Sequence, residues 1–276
     1  ALGLILRQKG ELEESARELR LSVTERPGDA QGHNVLGTVL VRLGDIEGAV
    51  EEFRQATRLD PRSIEAHVNL AQALRKTDRD EETQAALATA QRLKEEEAGL
   101  GRAMVLVGMA SGQIDKGERA AAVANLRDAV AAAPDFGEAH YRLGLALSKT
   151  ASSSAEAEDS LLRAVQLEPD HATYRYEWAR LLAEKGDTTA ALDQLRRAAA
   201  LQPSLADAHR ELGRLALRSR DWGEAAKALR AALVWRPDDA SLRRDLAAAL
   251  DGLGESGEAA RERAAAIKLE RTKKPN

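Results

Sequence analysis

Four of the five histidines recur at one place in a repeating pattern, and these imidazoles are the first candidates for chemistry in the chain. A histidine can act as a metal ligand or as a general base. Successive members of this set are at least 34 residues apart, however, and no carboxylate stands at ligand spacing beside them. The pattern therefore favours a structural role and predicts no metal site. The four are His33, His67, His140 and His209.

Other catalytic signatures lack the context they need. Residues 252–257 spell G-x-G-x-x-G, but they follow a helical pattern instead of a strand, which argues against a dinucleotide site. The serines have no paired His and Asp, and G-x-S-x-G does not occur. The absence of cysteine excludes disulfides, thiol catalysis and cysteine-ligated zinc. We therefore predict that the chain is not an enzyme and uses no cofactor.

The charge and hydropathy patterns narrow the classes of partner. The 41 basic and 45 acidic residues leave a net charge of −4, which gives no overall attraction to nucleic acid or to an anionic membrane. No apolar run approaches the roughly 18 residues that would suggest a membrane span. We expect a soluble protein without nucleic-acid partners. A cytoplasmic location is favoured, and export stays open because the chain begins inside a repeat.

The prolines show how the chain is organised. Six of them follow one another at intervals of 34, 73, 35, 34 and 34 residues: Pro27, Pro61, Pro134, Pro169, Pro203 and Pro237. Self-similarity at this period is typical of a helical-hairpin solenoid. Ala, Leu, Glu and Arg dominate and aromatic residues make up only 3%, which favours helix throughout.

Small and polar residues recur where such hairpins need them. Asp29, Ser63 and Asp239 stand two residues after a proline and are predicted N-caps. Small residues such as Gly37, Gly144 and Gly213 fall where two helices must approach closely. Five glycines are predicted to end helices in the left-handed conformation. They are Gly10, Gly44, Gly117, Gly186 and Gly254.

Residues 30–61 carry the pattern most completely. His33, Leu36, Gly37, Leu40, Ala49, Phe53 and Pro61 occupy in order the places of W-x2-L-G-x2-Y, A-x3-F and P. The chain therefore resembles the tetratricopeptide-repeat family. The resemblance implies an all-α, right-handed superhelical solenoid with first helices on the concave side. It also implies that the histidines replace a Trp that packs between the two helices of a repeat.

We predict a single solenoid over residues 1–276, with two irregular stretches. Asp78 to Gly117 should hold a lengthened second helix followed by a separate first helix, Leu100 to about Ser111, with neutral drift favoured over a functional hinge. Thr150 to Ser154 should form an exposed loop. The predicted parts are a truncated repeat 1–29, repeats at about 30–63, 64–97, 98–136, 137–171, 172–205, 206–239 and 240–271, and a basic tail 271–276.

The resemblance also implies a binding surface, because the first helices of such repeats line the concave groove. Arginine suits carboxylate or phosphate, and tyrosine offers rigid contact area. The alternative is that the arginines pair with the interleaved Glu177, Glu211 and Asp245. Both interpretations stay open, and Trp178, Trp222 and Trp235 are predicted to fill gaps between helices. The candidate groove residues are Tyr141, Tyr176, Arg180, Arg210, Arg214 and Arg244.

Three functions follow from this pattern. The first is a non-catalytic scaffold that binds an extended, acidic or C-terminal segment of a protein partner in the groove. The second is self-assembly into a homo-oligomer or filament, because the incomplete first repeat leaves Leu2, Leu4 and Ile5 on an open helix. The third is an accessory arm of a larger protein whose catalytic domain lies outside this chain.

Overall fold

The helices begin where the sequence supplies capping side chains. The Asp29 carboxylate accepts a hydrogen bond from the Gly32 amide at 2.9 Å, and Ser63 Oγ accepts one from the Ala66 amide at 3.2 Å. Asp239 accepts from two amides of its own helix at 2.9 and 3.1 Å. Each bond satisfies an amide that the first helical turn leaves unpaired. The three predicted N-caps are confirmed.

The turns within the hairpins use left-handed backbone. The five predicted turn glycines have φ between 80° and 90°, which confirms their role, since glycine adopts this conformation without steric cost. Two further turns place a residue with a side chain in the same region. These are Asp78, with φ of 54°, and Arg220, with φ of 61°.

The computed structural model describes residues 2–149 and 154–273, which form fifteen α-helices and no β-strand. The predicted loop at 150–154, apart from helical Ser154, and the last three residues of the predicted basic tail lie outside these ranges. The helices are α1 (Leu2–Lys9), α2 (Leu12–Glu25), α3 (Ala30–Leu43), α4 (Ile46–Leu59), α5 (Ile64–Arg75), α6 (Asp80–Asp115), α7 (Arg119–Ala132), α8 (Gly137–Ser148), α9 (Ser154–Leu167), α10 (Ala172–Glu184), α11 (Thr188–Leu201), α12 (Ala206–Arg218), α13 (Trp222–Trp235), α14 (Ala240–Gly252) and α15 (Ser256–Lys273).

Helix α6 departs from the prediction. The sequence suggested two helices with a break before Leu100, but residues Asp80–Asp115 form one helix of 36 residues. No proline lies between Pro61 and Pro134 to remove a helical hydrogen bond. A glycine inside a helix costs only about 1 kcal/mol relative to alanine, so Gly99 and Gly101 are too weak to end it. The prediction of a separate first helix is wrong.

The first of two compact units ends at Gly101. In it, α1 packs on α2, α3 on α4, and α5 on both α3 and α4. The fully buried Leu36, Val50, Phe53 and Leu74 contribute to its core. Leu4 and Ile5 of α1 are exposed, as the sequence predicts.

The second unit begins at Arg102. Its hairpins are α8 with α9, α10 with α11, α12 with α13 and α14 with α15, and each packs on the next. The first helices also contact one another in turn, α8 with α10, α10 with α12 and α12 with α14. They therefore form one layer, in which residues of successive repeats lie side by side. The predicted all-α class of helix-turn-helix repeats is confirmed.

Glycines allow the two helices of a hairpin to approach closely. A Cβ atom added to Gly37 would lie 2.6 Å from the Phe53 ring, and one added to Gly213 would lie 2.5 Å from Leu229 Cγ. Such contacts are far inside van der Waals separation, so these positions require glycine, as predicted.

Among the described helices, none is long and apolar enough to cross a membrane.

Candidate functional site

The layer of first helices in the second unit holds all the candidate groove residues. The set spans four first helices that contact one another in turn. Tyr141 lies on α8, Tyr176 and Arg180 on α10, Arg210 and Arg214 on α12, and Arg244 on α14.

The two tyrosines serve largely as packing. Tyr176 is only 8% exposed, and the Arg180 guanidinium carbon lies 5.9 Å from its ring centroid, a cation–π distance. The Tyr141 ring stacks on the Tyr174 ring with centroids 4.6 Å apart. Burial, together with the nearby charge of Glu177, raises the pKa of Tyr141 to about 12. Tyr176 is thus buried and Tyr141 half-buried, and both rings contribute mainly to packing.

The predicted arginines form ion pairs within and between repeats. Arg180 donates to Glu177 at 2.8 Å, within α10. Arg214 on α12 donates to Asp245 on α14 at 2.8 Å, and this bond is the main reason that its pKa is raised. Arg244 pairs with Glu270 on α15. Carboxylates of the chain itself therefore already occupy these guanidinium groups.

Arg210 forms ion pairs with two acidic residues of its own helix. Its guanidinium lies 2.9 Å from Asp207 and 3.3 Å from Glu211, and Glu211 also lies 3.9 Å from Arg214. Acidic and basic groups thus alternate across α10, α12 and α14. The interleaved acids that the sequence offered as alternative partners do pair with Arg180, Arg210 and Arg214. Arg244 pairs instead with Glu270, and Arg210 also pairs with Asp207. Partner binding by these arginines stays a prediction.

Two neighbouring cavities lie along the C-terminal halves of α8, α10 and α12. One is about 310 Å³ and the other about 190 Å³, and they share Arg180 and Glu184. We call this pair of cavities the groove. The larger part is lined by Ile114, Arg119, Arg142, Leu145, Ala146, Ser148, Lys149, Glu177, Arg180 and Glu184, and the smaller adds Ala179, Ala183, Leu195, Glu211, Leu215 and Arg218.

Three cations of the groove were missed by the sequence analysis. Arg119, Lys149 and Arg218 line it, and in the part of the chain that the structure describes none of them forms an ion pair. They lie at helix ends: Arg119 begins α7, Lys149 follows α8, and Arg218 ends α12. For Lys149 and Arg218 the sequence signal was a basic residue at the end of a first helix, one turn beyond Leu145 and Arg214. Arg119, at the start of the second helix α7, carried no such signal.

Glu177 is one of three acidic side chains that line the groove, with Glu184 and Glu211. Burial is the largest influence on its pKa, which is raised although Arg180 opposes the effect. Lys149 also lies close enough for its charge to stabilise this carboxylate. The groove thus combines three cations that form no ion pair among the described residues with a partly desolvated carboxylate.

The histidine set forms structural contacts. Nε2 of His67, His140 and His209 lies 3.1, 2.8 and 3.1 Å from the carbonyl oxygen of a proline six residues earlier. His33 makes the same contact at 3.3 Å, and its Nδ1 lies 2.7 Å from Glu52. Where the repeat has Arg175, the guanidinium donates to the corresponding Pro169 carbonyl at 2.7 Å. Each side chain ties its first helix to the preceding turn.

The tryptophans divide into two groups. Trp178 packs among the buried residues of α8, α10 and α12, and the Trp222 ring would lie 2.3 Å from a Cβ added to Gly252. Trp235, in contrast, is 54% exposed, so the prediction that it fills a gap is wrong. The buried face of α13 ends at Ala232, and Trp235 extends one turn past it.

Comparisons with known families match both parts of the chain. Residues 7–132 match the model described as the TPR domain of cytochrome c-type biogenesis protein H. Residues 149–206 and 210–272 match the tetratricopeptide-repeat model. A search of curated proteins found no match.

Solved structures support the fold. A crystal structure of a MamA protein is 23% identical, with a TM-score of 0.57, over 62% of this chain and 93% of that chain. MamA from Desulfovibrio magneticus RS-1, residues 41 to the end, is 19% identical, with a TM-score of 0.57, over 63% and 98%. At these identities the likeness shows the fold alone.

Proposed function

Because the chain belongs to the tetratricopeptide-repeat family, we propose that it is a non-catalytic scaffold that binds an extended, acidic segment of a protein partner in the groove. The observation that carries the proposal is the set of unpaired cations Arg119, Lys149 and Arg218 along one groove. Four basic side chains line its larger part against two acidic ones. Carboxylates of a partner would therefore enter a net positive surface.

The groove also suits the shape of an extended segment. Its walls are helices that pack on their neighbours, so the surface is formed before binding and only the partner segment loses conformational freedom. Ile114, Leu145 and Ala146 supply apolar wall between the cations. A segment that alternates acidic and small apolar side chains fits this lining.

At Arg180, a carboxylate of the partner would replace a carboxylate of the chain itself. Arg180 is shared by both cavities and is held by Glu177 at 2.8 Å. A partner carboxylate that displaced Glu177 would take over a charge-assisted hydrogen bond that the chain already makes. We therefore expect Arg180 to contribute less to affinity than the unpaired cations.

The proposal can be tested by selecting peptides from a random display library on the full chain. Selection on the wild type should enrich Asp and Glu in extended sequences. The same selection on R119E/K149E/R218E should lose that enrichment. The matched control is R261E/K268E/R271E, which makes the same change of charge at exposed residues of α15. Enrichment that survives the groove variant, or is lost equally in the control, would overturn the proposal.

A further inference from the structure

The last part of α6 presents an apolar face to solvent. Met104, Val105 and Met109 are 59%, 63% and 52% exposed. On the opposite side, Ala103 and Ala110 are buried in the cores of the second unit. This face needs an explanation, because large apolar side chains in water forgo the stabilisation that burial provides.

The same face is lined with glycine. Gly108 and Gly112 have no atom within 4 Å of the place where a Cβ would stand. Packing within this chain therefore does not require them, unlike Gly37 or Gly213. Glycines on an open helix face leave notches into which side chains of a second helix can fit.

We propose that two copies of this chain associate through antiparallel contact of the α6 faces over residues 102–115. An α-helix turns by 100° per residue, so a two-fold axis that passes between Gly108 and Met109 lies at the centre of the exposed face. In that register, Val105 lies opposite Gly112 of the second copy, and Met109 lies opposite Gly108 of the second copy. Each exposed large side chain near the axis thus meets a notch.

Charge supports a second copy as the occupant. Arg102 and Asp115 flank the face, and no charged residue lies between them. Both are exposed, and neither forms an ion pair within the described ranges. The register that places valine and methionine against glycine also places Arg102 opposite Asp115 of the second copy, at both ends of the contact. One two-fold arrangement therefore satisfies both shape and charge.

The expected association is reversible. Fourteen helical residues extend about 21 Å, and one helix face of that length buries less than the roughly 800 Å² per partner of a stable interface. The dimer should therefore form as the protein concentration rises and dissociate on dilution. Met104, Val105 and Met109 do not line the groove, so dimerisation and peptide binding are measured separately.

Sedimentation equilibrium of the full chain over a range of concentrations tests the proposal. The wild type should shift from monomer to dimer, whereas G108L/G112L should stay monomeric. These changes keep the monomer folded, because the space is open and Leu favours helix over Gly. Gly257→Leu, at another open helical glycine, is the control and should dimerise like the wild type. A wild type that stays monomeric, or a dimer that G108L/G112L leaves unchanged, would overturn the proposal.

Charge reversal provides a second, independent measurement. R102E and D115K should each weaken dimerisation roughly tenfold, because two attractive pairs become repulsive. The double variant R102E/D115K should regain wild-type association, since both pairs form again with opposite sign. Two single variants that lose association without recovery in the double variant would contradict the antiparallel register.

Discussion

Nε2 of His140 lies 2.8 Å from the carbonyl oxygen of Pro134, six residues earlier in the chain. The same relationship joins His67 to Pro61, and Arg243 makes it to Pro237 through its guanidinium. Histidine and arginine both place an N–H group against this carbonyl, at the position where the family pattern has tryptophan. The repeats of this chain thus use a polar tie between the first helix and the turn before it.

Loss of this tie should lower stability. Changing His140 to Ala removes one hydrogen bond and should reduce the free energy of unfolding by about 1 kcal/mol. His140→Arg should retain most of the stability, because Arg175 makes the equivalent bond in the next repeat. Urea unfolding followed by circular dichroism measures both. Equal losses of unfolding free energy in the two variants would show that the His140 ring stabilises the fold by packing and not through its hydrogen bond.

The close approach at Gly213 predicts a second effect. Gly213→Ala should destabilise the fold by about 1 to 3 kcal/mol, because its Cβ would lie 2.5 Å from the Cγ of fully buried Leu229. Gly223→Ala is the control: the nearest atom to its Cβ is 3.8 Å away, so the change should be neutral or stabilising. The urea concentration at the unfolding midpoint should fall for Gly213→Ala and should stay the same or rise for Gly223→Ala. A tolerated Gly213→Ala would contradict the tight hairpin.

Arg220 has the left-handed backbone conformation that five other turns of the described chain give to a glycine, such as Gly186 with φ of 90°. Arg220→Gly should therefore raise the free energy of unfolding by about 1 kcal/mol. Gly186→Arg should have the opposite effect, since its surroundings are open and only the backbone strain changes. Thermal unfolding of the two variants checks the pair. Destabilisation by Arg220→Gly would mean that the arginine side chain contributes more than its strain costs.

His209 predicts a dependence of stability on pH. Burial lowers its pKa below the ordinary 6.5, and the hydrogen bond to Pro203 opposes this only in part. The unfolded chain therefore binds more protons, so the free energy of unfolding should fall as the pH drops below about 6.5 toward the folded-state pKa. His209→Gln should have a smaller slope in this range, measured by urea unfolding at several pH values. An unchanged slope would place the titrating group elsewhere.

Local features of the fold could be predicted because they depend on neighbours in sequence. The caps at Asp29 and Ser63 and the left-handed turn at Gly44 involve residues three or four apart, so their spacing is visible in the chain. The continuous helix α6 could not be predicted, because its two halves resemble parts of separate repeats. Gly99 and Gly101 resemble a break but lack a capping side chain or a proline.

The candidate site was only partly predictable, because its charges pair across repeats. Arg214 and Asp245 are 31 residues apart and meet only when α12 packs on α14. The sequence showed both charges but not whether they would meet each other or a partner. Lys149 and Arg218 were not predicted as groove residues, because the sequence does not show which helix ends lie beside a neighbouring helix.

The most direct test of the proposed function is the affinity of a selected acidic peptide, measured by isothermal titration calorimetry. The proposal predicts binding by the wild type and by R261E/K268E/R271E, and at least roughly tenfold weaker binding by R119E/K149E/R218E, since each lost charge-assisted contact is worth about 1.5 kcal/mol or more. It also predicts weaker binding as salt is added. Equal affinity of all three proteins would contradict the groove as the binding surface.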